Sequence, residues 1–319
     1  MIRRFALATL PVLVLLTGCT VAAAPAASPG PTAVEVSNCG TPVTFDAAPQ
    51  RVVTIKSTST EMLLALGLGD RIVGTAFQDG PVPSQWADAA NGVPAISDFM
   101  PSEEAVLDLE PDLVYSGWES AFAADAAGER SELARLGVAS YVQPAACRSA
   151  QVPGKLDFDE IFREIGEVAS IFRVSDADLI AEQKQQLDAI TPDDRGLTAL
   201  WYSSGTDTPY VGAGIGAPEL VLETAGLTNI AADIDQTWTS LGWESIVAAD
   251  PDVIVLIDAD WNTAQSKIDM LESNPATANL TAVKHNRYIV LPFASSEAGV
   301  RTVSAVADVL AQLKNLDLP

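Results

Sequence analysis

The chain reads as an α/β protein of two similar halves with parallel sheets, joined by a single helix. Three observations predict this. Short runs rich in Val and Ile alternate with amphipathic stretches along the chain, the rhythm of parallel strands connected through helices. One motif occurs twice: Glu104-Ala-Val-Leu-Asp-Leu-Glu-Pro111-Asp112 before Leu-Val-Tyr-Ser, and Glu244-Ser-Ile-Val-Ala-Ala-Asp-Pro251-Asp252 before Val-Ile-Val-Leu. Each is a Glu, a helical turn or two, Pro-Asp, then a buried strand. Between the copies lies the stretch 175–190. There Ser175 can cap a helix whose positive end suits Asp176 and Asp178. Leu179, Ile180, Gln183, Leu187 and Ile190 then form an apolar stripe, and Thr191-Pro192 and Arg195-Gly196 stop it.

From the start, residues 1–19 hold Arg3 and Arg4 and then an apolar run through Leu16, a secretory signal too short to span a bilayer. It ends Leu16-Thr17-Gly18-Cys19, which looks like a bacterial lipobox, so lipidation is expected at Cys19. Residues 20–35, rich in Ala, Pro and Ser, read as a flexible tether. An N-terminal lobe is expected over 36–174, the connecting helix over 175–190 and a C-terminal lobe over 191–319. The protein is thus expected outside the cytoplasmic membrane, held to its outer face by a lipid and acting as a monomer. With 18 Lys plus Arg against 42 Asp plus Glu, nucleic acid is excluded as a partner. Cys39 and Cys147 remain after Cys19, and an oxidising compartment favours pairing them over two buried thiols. A link of that length stabilises by roughly 4–5 kcal/mol on the chain-entropy argument.

In the first lobe, strands are expected over 51–55, 71–75, 113–116 and 140–143, with helices over 60–66, 103–109, 126–136 and 157–172. The last of these puts Ile161, Phe162, Ile165, Val168 and Phe172 on one face. The second lobe repeats the rhythm, with strands over 197–202, 253–257 and 288–291 and helices over 218–224, 244–249, 264–271 and 300–316.

Ligands of such sheets sit beyond the carboxyl ends of the strands. After the first strand come Lys56-Ser57-Thr58-Ser59-Thr60-Glu61, where Thr58 and Glu61 fit a capping box. A helix start beside a Lys and several hydroxyls is either an anion site or a plain cap with a solvated Lys. Other loops carry Phe77, Trp118, Trp201-Tyr202-Ser203, Tyr210, Trp238 with Trp243, Trp261, and Phe293-Ala-Ser-Ser296. Any one aromatic residue can be core packing. Five of the six Trp near one expected cleft read as a ligand platform. Arg301, opening the last helix, can reach an anion. The expected ligand-binding set is therefore Lys56, Ser57, Thr58, Phe77, Trp118, Trp201, Tyr202, Ser203, Tyr210, Trp238, Trp243, Trp261 and Arg301.

The lipobox, Pro49-Gln50-Arg51-Val52-Val53, Thr60-Glu61-Met-Leu-Leu-Ala-Leu-Gly67 and the two Glu…Pro-Asp copies resemble the cobalamin and ferric-siderophore class of ABC-importer binding proteins. The resemblance covers essentially the whole mature chain. It implies two Rossmann-like lobes bridged by one rigid helix, and a small-molecule ligand handed to a permease with a cytoplasmic ATPase. It also implies an acidic residue on each lobe docking to basic residues of the permease. The repeat carries that role to Glu104 and Glu244, which are otherwise ordinary helix carboxylates. The stretches 200–218 and 272–278 further resemble an actinobacterial subgroup described as carriers of coenzyme F-420 precursors, deazaflavins with ribityl, phosphate and lactyl groups. A flat ring suits Trp and Tyr faces, and a phosphodiester with a carboxylate suits Lys56 or an Arg. A ferric siderophore or cobalamin is the alternative, though the chain offers few Arg for a siderophore.

An enzyme is the remaining class. Gly212-Ala-Gly214-Ile-Gly-Ala217 formally matches a dinucleotide fingerprint, with Asp233 and Asp235 about 20 residues on. Only Tyr210-Val211 remains as a strand after Pro209, and an exported protein meets no cofactor pool, so the segment reads as a flexible loop over the cleft. There is no G-x-S-x-G, and His285, the only imidazole, is expected at a solvated turn before a strand. No catalysis, no cofactor and no metal site are expected.

Overall fold

The computed structural model describes residues 33–148 and 154–318. The signal segment, Cys19 and the tether up to residue 32 lie outside the described residues. The folded part begins with β1 (Val34–Asn38) and β2 (Thr41–Phe45), an antiparallel hairpin that starts inside the stretch expected to be tether. Cys39 and Gly40 turn it with φ of 49° and 73°, the positive pair that a two-residue hairpin loop requires. Its end is pinned to the first lobe. The Asn38 amide donates to the Val142 carbonyl at 2.6 Å and accepts from the Val142 N–H at 2.8 Å. Cys39 is disulfide-bonded to Cys147, with Cα atoms 5.1 Å apart.

The first lobe then runs β3 (Val52–Ile55), α1 (Ser57–Ala65), β4 (Ile72–Ala76), α2 (Ala87–Ala90), β5 (Ala95–Ser97), α3 (Glu103–Leu107), β6 (Leu113–Ser116), α4 (Arg130–Arg135) and β7 (Ala139–Val142). Its sheet is entirely parallel, in the order β5-β4-β3-β6-β7. Helices α5 (Phe158–Phe172) and α6 (Ala177–Asp188) follow. The second lobe runs β8 (Thr198–Ser204), β9 (Tyr210–Gly212), α7 (Ala217–Thr224), β10 (Thr228–Asn229), β11 (Trp238–Ser240), α8 (Trp243–Ala249), β12 (Val253–Asp258), α9 (Ala264–Ser273), α10 (Thr281–Lys284), β13 (Tyr288–Pro292) and α11 (Thr302–Leu313). Its main path is β11-β9-β8-β12-β13, with β10 also on β8. This second sheet is mixed rather than parallel throughout, because β9 folds back antiparallel on β8 and carries β11 antiparallel on its outer edge.

The Pro-Asp repeat has a physical content visible only in three dimensions. In the first lobe Asp112, just before β6, accepts from the backbone N–H groups of Gln50 and Arg51 at 2.7 and 2.9 Å, just before β3. In the second lobe Asp252, just before β12, accepts from the N–H and hydroxyl of Thr198 at 2.8 and 2.9 Å, at the start of β8. Strands β3 and β6, like β8 and β12, are parallel neighbours. Each Asp therefore satisfies donors at the open beginning of the adjacent strand, where the ladder has no partner to offer.

The stretch 175–190 does hold a helix, α6, and the longer helix α5 stands directly before it. Helix α5 ends at Arg173 in the left-handed conformation (φ 58°), and α6 starts afresh at Ala177. It is α5 that buries its stripe, Ile161, Phe162, Ile165, Val168 and Phe172. In α6 only Gln183 is buried, its amide donating to the Val300 carbonyl at 2.7 Å. Leu179, Ile180 and Leu187 are half-buried. The core around α5 continues from Met62, Leu63 and Tyr115 of the first lobe to Leu220 and Val300 of the second, so one apolar cluster joins the two.

The segment Gly212–Ala217 is not a flexible loop. A Cβ on Gly212 would lie 2.2 Å from Pro218, and one on Gly214 would lie 2.0 Å from the Ala232 carbonyl. The N–H groups of Ala213, Gly214 and Ile215 donate to the carbonyls of Thr237, Ile234 and Gln236. These glycines permit close backbone approach within the lobe, and their spacing needs no nucleotide to explain it.

Candidate functional site

The parallel strands of the first lobe deliver their following residues to one edge, facing the second lobe. Lys56, directly after β3, takes φ 78° and is wholly buried. Its ammonium pairs with Asp79 and lies 4.0 Å from the Trp118 ring centre, 4.1 Å from Phe77, 4.6 Å from Phe293 and 5.8 Å from Trp261. A buried ammonium needs both a counter-charge and polarisable neighbours, and this cage supplies them. Asp79 is itself held by Ser57, whose N–H donates to it at 3.3 Å and whose hydroxyl accepts from the Asp79 N–H at 2.8 Å. The anion site expected at Lys56, Ser57 and Thr58 is thus corrected: the lysine is neutralised and closed off from solvent.

Two polar ties cross from α1 and the loop after β6 to the segment before α11. The Thr58 hydroxyl donates to Glu297 at 3.0 Å, and the Trp118 indole N–H donates to its other oxygen. The Arg301 guanidinium grips Glu61 with two prongs. Arg301, expected to meet an anionic ligand, has found its anion inside the protein. Burial raises the Glu61 carboxyl above the usual range in spite of Arg301. Burial likewise raises Glu297 to about 7, outweighing the lowering by Lys56.

Above this floor opens a cleft of about 1170 Å³. Trp118, Phe122 and Arg148 line it from the first lobe, and Ser203, Tyr210, Trp238, Phe293 and Glu297 from the second. Tyr210 and Trp238 stack, with ring centres 5.8 Å apart and planes inclined by 14°. The pairing of β9 with β11 produces this, since Ser240 faces Tyr210 and Trp238 faces Gly212 across the two strands. Of the expected set, Trp118, Ser203, Tyr210 and Trp238 line the cleft. Phe77 and Trp261 belong to the lysine cage, where Trp261 meets Phe293 edge-on at 5.2 Å.

Trp201, Tyr202 and Trp243 are not in the cleft wall. Successive residues of β8 point to opposite faces, which puts Trp201 into the core beneath α7 and α11 and Tyr202 into the core beneath α8. The Tyr202 hydroxyl donates to the Gly205 carbonyl at 2.7 Å, and the Trp243 indole donates to the Thr206 carbonyl at 2.8 Å. Asp79, Phe122, Arg148 and Glu297 were absent from the expected set. Phe293 and Glu297 share the loop after β13, whose polar run was legible in the sequence, but Glu297 stands one residue past it. Glu104 and Glu244 are both exposed, in the first turns of α3 and α8.

Two α/β lobes that line an aromatic cleft are the arrangement of a solute-binding protein. The sequence matches the family model described as periplasmic binding protein over residues 52–294, and the chain belongs to that family. It is 27% identical over 279 residues to an uncharacterized ABC transporter substrate-binding lipoprotein, YvrC, of Bacillus subtilis, covering 84% of this chain and 81% of the relative. It is 27% identical over 274 residues to a cobalamin-binding protein of Halobacterium salinarum, covering 77% of this chain and 66% of that one. Among solved structures, an ABC-type Fe3+-hydroxamate transport system protein from Saccharomonospora viridis superposes with a TM-score of 0.75 at 25% identity, covering 88% and 98% of the two chains. By that family the chain is a substrate-binding protein rather than an enzyme. Among the described residues no helix is long and apolar enough to cross a membrane.

Proposed function

We propose that the chain is the extracytoplasmic receptor of an ABC importer, that it holds a flat aromatic ligand between its lobes, and that the ligand is a deazaflavin precursor of coenzyme F-420. The observation that carries this reading is the cleft itself, walled by Trp118, Tyr210, Trp238 and Phe293. Ring faces of this kind favour a planar ligand by stacking. Arg148, exposed on the same wall, suits an anionic tail. The second reading is cobalamin or a ferric siderophore, favoured by the names of the relatives from Halobacterium salinarum and Saccharomonospora viridis.

Tryptophan quenching in titrations with a deazaflavin precursor, cobalamin and a ferric hydroxamate decides between the two. The first should bind tightly, and Trp238→Ala should weaken it by about tenfold, the scale of one lost aromatic contact. Binding of cobalamin or the hydroxamate alone would replace the ligand and keep the receptor.

Anchoring through a lipid on Cys19 agrees with the naming of YvrC as a lipoprotein. Docking to the permease falls to Glu104 and Glu244, one exposed carboxylate per lobe, and the receptor acts as a monomer. Reversing both charges should lower uptake by on the order of a hundredfold, since like charges set against each other cost several kcal/mol. Ligand affinity of the soluble chain should not change. Unaltered uptake in the double variant would remove the docking role.

A further inference from the structure

The charges at the cleft divide unequally. Three cations near the cleft already have partners. Lys56 is paired with Asp79 inside its aromatic cage, and Arg301 is paired with Glu61. Arg130 is held by the Asn38 carbonyl at 2.8 Å and side chain at 3.0 Å, and by the Ser140 hydroxyl at 2.9 Å and carbonyl at 3.0 Å. Glu297, in contrast, borders the cavity with acceptor capacity to spare. A carboxylate offers about four lone-pair directions, and the protein fills one on each oxygen, from Thr58 and from Trp118. Those two bonds also fix where the carboxylate points, so the remaining acceptor positions are pre-organised. An anionic group brought against Glu297 would meet a carboxylate, with Lys56, Arg130 and Arg301 already engaged and Arg148 left on the wall. A hydrogen-bond donor would complete the set.

We infer that Glu297 is a specificity-determining residue, accepting a hydrogen bond from an imide or lactam N–H at the edge of a planar ring held against the aromatic walls. The inference rests on the reading of the cleft as a site for a flat ligand, and it adds an orientation. The N–H edge of the ring enters toward the floor, and any anionic substituent is left to the exposed Arg148. The ligand class selected is a fused aromatic ring with an acidic N–H. A planar ring whose edge carries only acceptors or a carboxylate is discriminated against, because it leaves the Glu297 oxygens desolvated and unpaired.

The test compares a ribityl deazaflavin, which has the imide N–H and no phosphate tail, with its N3-methyl derivative. Each is titrated into the wild-type chain and into Glu297→Ala by tryptophan quenching. At pH 8, above the value of about 7 to which burial raises Glu297, wild type should prefer the N–H ring by about tenfold to a hundredfold, the scale of a hydrogen bond to a charged acceptor. In Glu297→Ala the preference should shrink to about twofold or less. If Glu297→Ala does not fold, as judged by circular dichroism, Glu297→Gln takes its place. It retains a weaker, neutral acceptor and should leave a preference of only a few-fold. Equal binding of the two rings by wild type overturns the role of Glu297 while keeping the cleft as a flat-ligand site. A preference that survives undiminished in the variant marks the methyl group as merely too bulky, and overturns it as well. A wild-type chain that binds neither ring overturns the deazaflavin reading and this inference together.

Discussion

Glu61→Ala should destabilise the folded chain by about 3–5 kcal/mol, the cost of removing one partner from a buried ion pair. Glu61 retains 2% of its side-chain exposure and Arg301 14%, so the variant leaves a guanidinium enclosed between the lobes without its counter-charge. The pair is not itself a strong source of stability. Burial raises the Glu61 carboxyl even with Arg301 bound to it, which means desolvation outweighs the attraction. The double variant Glu61→Leu with Arg301→Met should therefore recover most of the loss, because an apolar pair of similar volume avoids both desolvation costs. The single variant Arg301→Ala differs from Glu61→Ala in one respect. A lone buried carboxyl can take up a proton, whereas a lone guanidinium cannot shed one, so Arg301→Ala should be milder at pH 5 than at pH 8. Urea unfolding midpoints at constant slope measure all three. A loss below about 1 kcal/mol in Glu61→Ala would show that water reaches the pair, against the burial seen here.

Features that depend on local pattern were legible in the sequence. The alternation of strands and helices, the amphipathic face of α5 and the twofold Pro-Asp motif all come from residues close together in the chain. The disulfide followed from compartment chemistry and the count of cysteines. What was not legible depends on which distant segments meet. Lys56 stands at the end of a strand, where solvent or a ligand is the natural partner. Its burial arises because Asp79, Trp118, Trp261 and Phe293 converge on it from four other loops. Trp201 and Tyr202 could be assigned to a strand, but that sheet is covered on both faces, so their rings go to the two cores. The glycines at 212 and 214 look like a phosphate loop in sequence and serve backbone packing in space. The hairpin of β1 and β2 was missed because alternate residues there are only half-buried, and no apolar run marks it.

Raising the pH from 5 to 8 should weaken the fold, and Glu164 should account for the largest part. It lies on the buried face of α5, accepting from the Tyr115 hydroxyl at 3.3 Å, with Glu167 nearby as a second carboxylate. Burial pushes its carboxyl up to about 8 from an ordinary value of 4.5, Tyr115 opposing and Glu167 adding to the shift. The folded state thus holds this proton more tightly than the unfolded chain. The stability it contributes is complete below about pH 4.5 and is lost as pH rises through about 8. Glu297, raised to about 7, acts in the same direction within that window. The difference for Glu164 is on the order of 4 kcal/mol. Carboxylates lowered by an arginine partner, Asp193 by Arg195 and Glu132 by Arg135, oppose this only at more acid pH. They also lie at the surface, where such pairs count for little. Glu164→Gln keeps an acceptor for Tyr115 and cannot ionise. It should match the parent at pH 5 and exceed it at pH 8, with much of the pH dependence of the melting temperature gone. A parent whose melting temperature is level between pH 5 and 8 would mean that water solvates Glu164 in the folded chain, and a Glu164→Gln curve with the parent's slope would move the effect to Glu297 and the lobe interface.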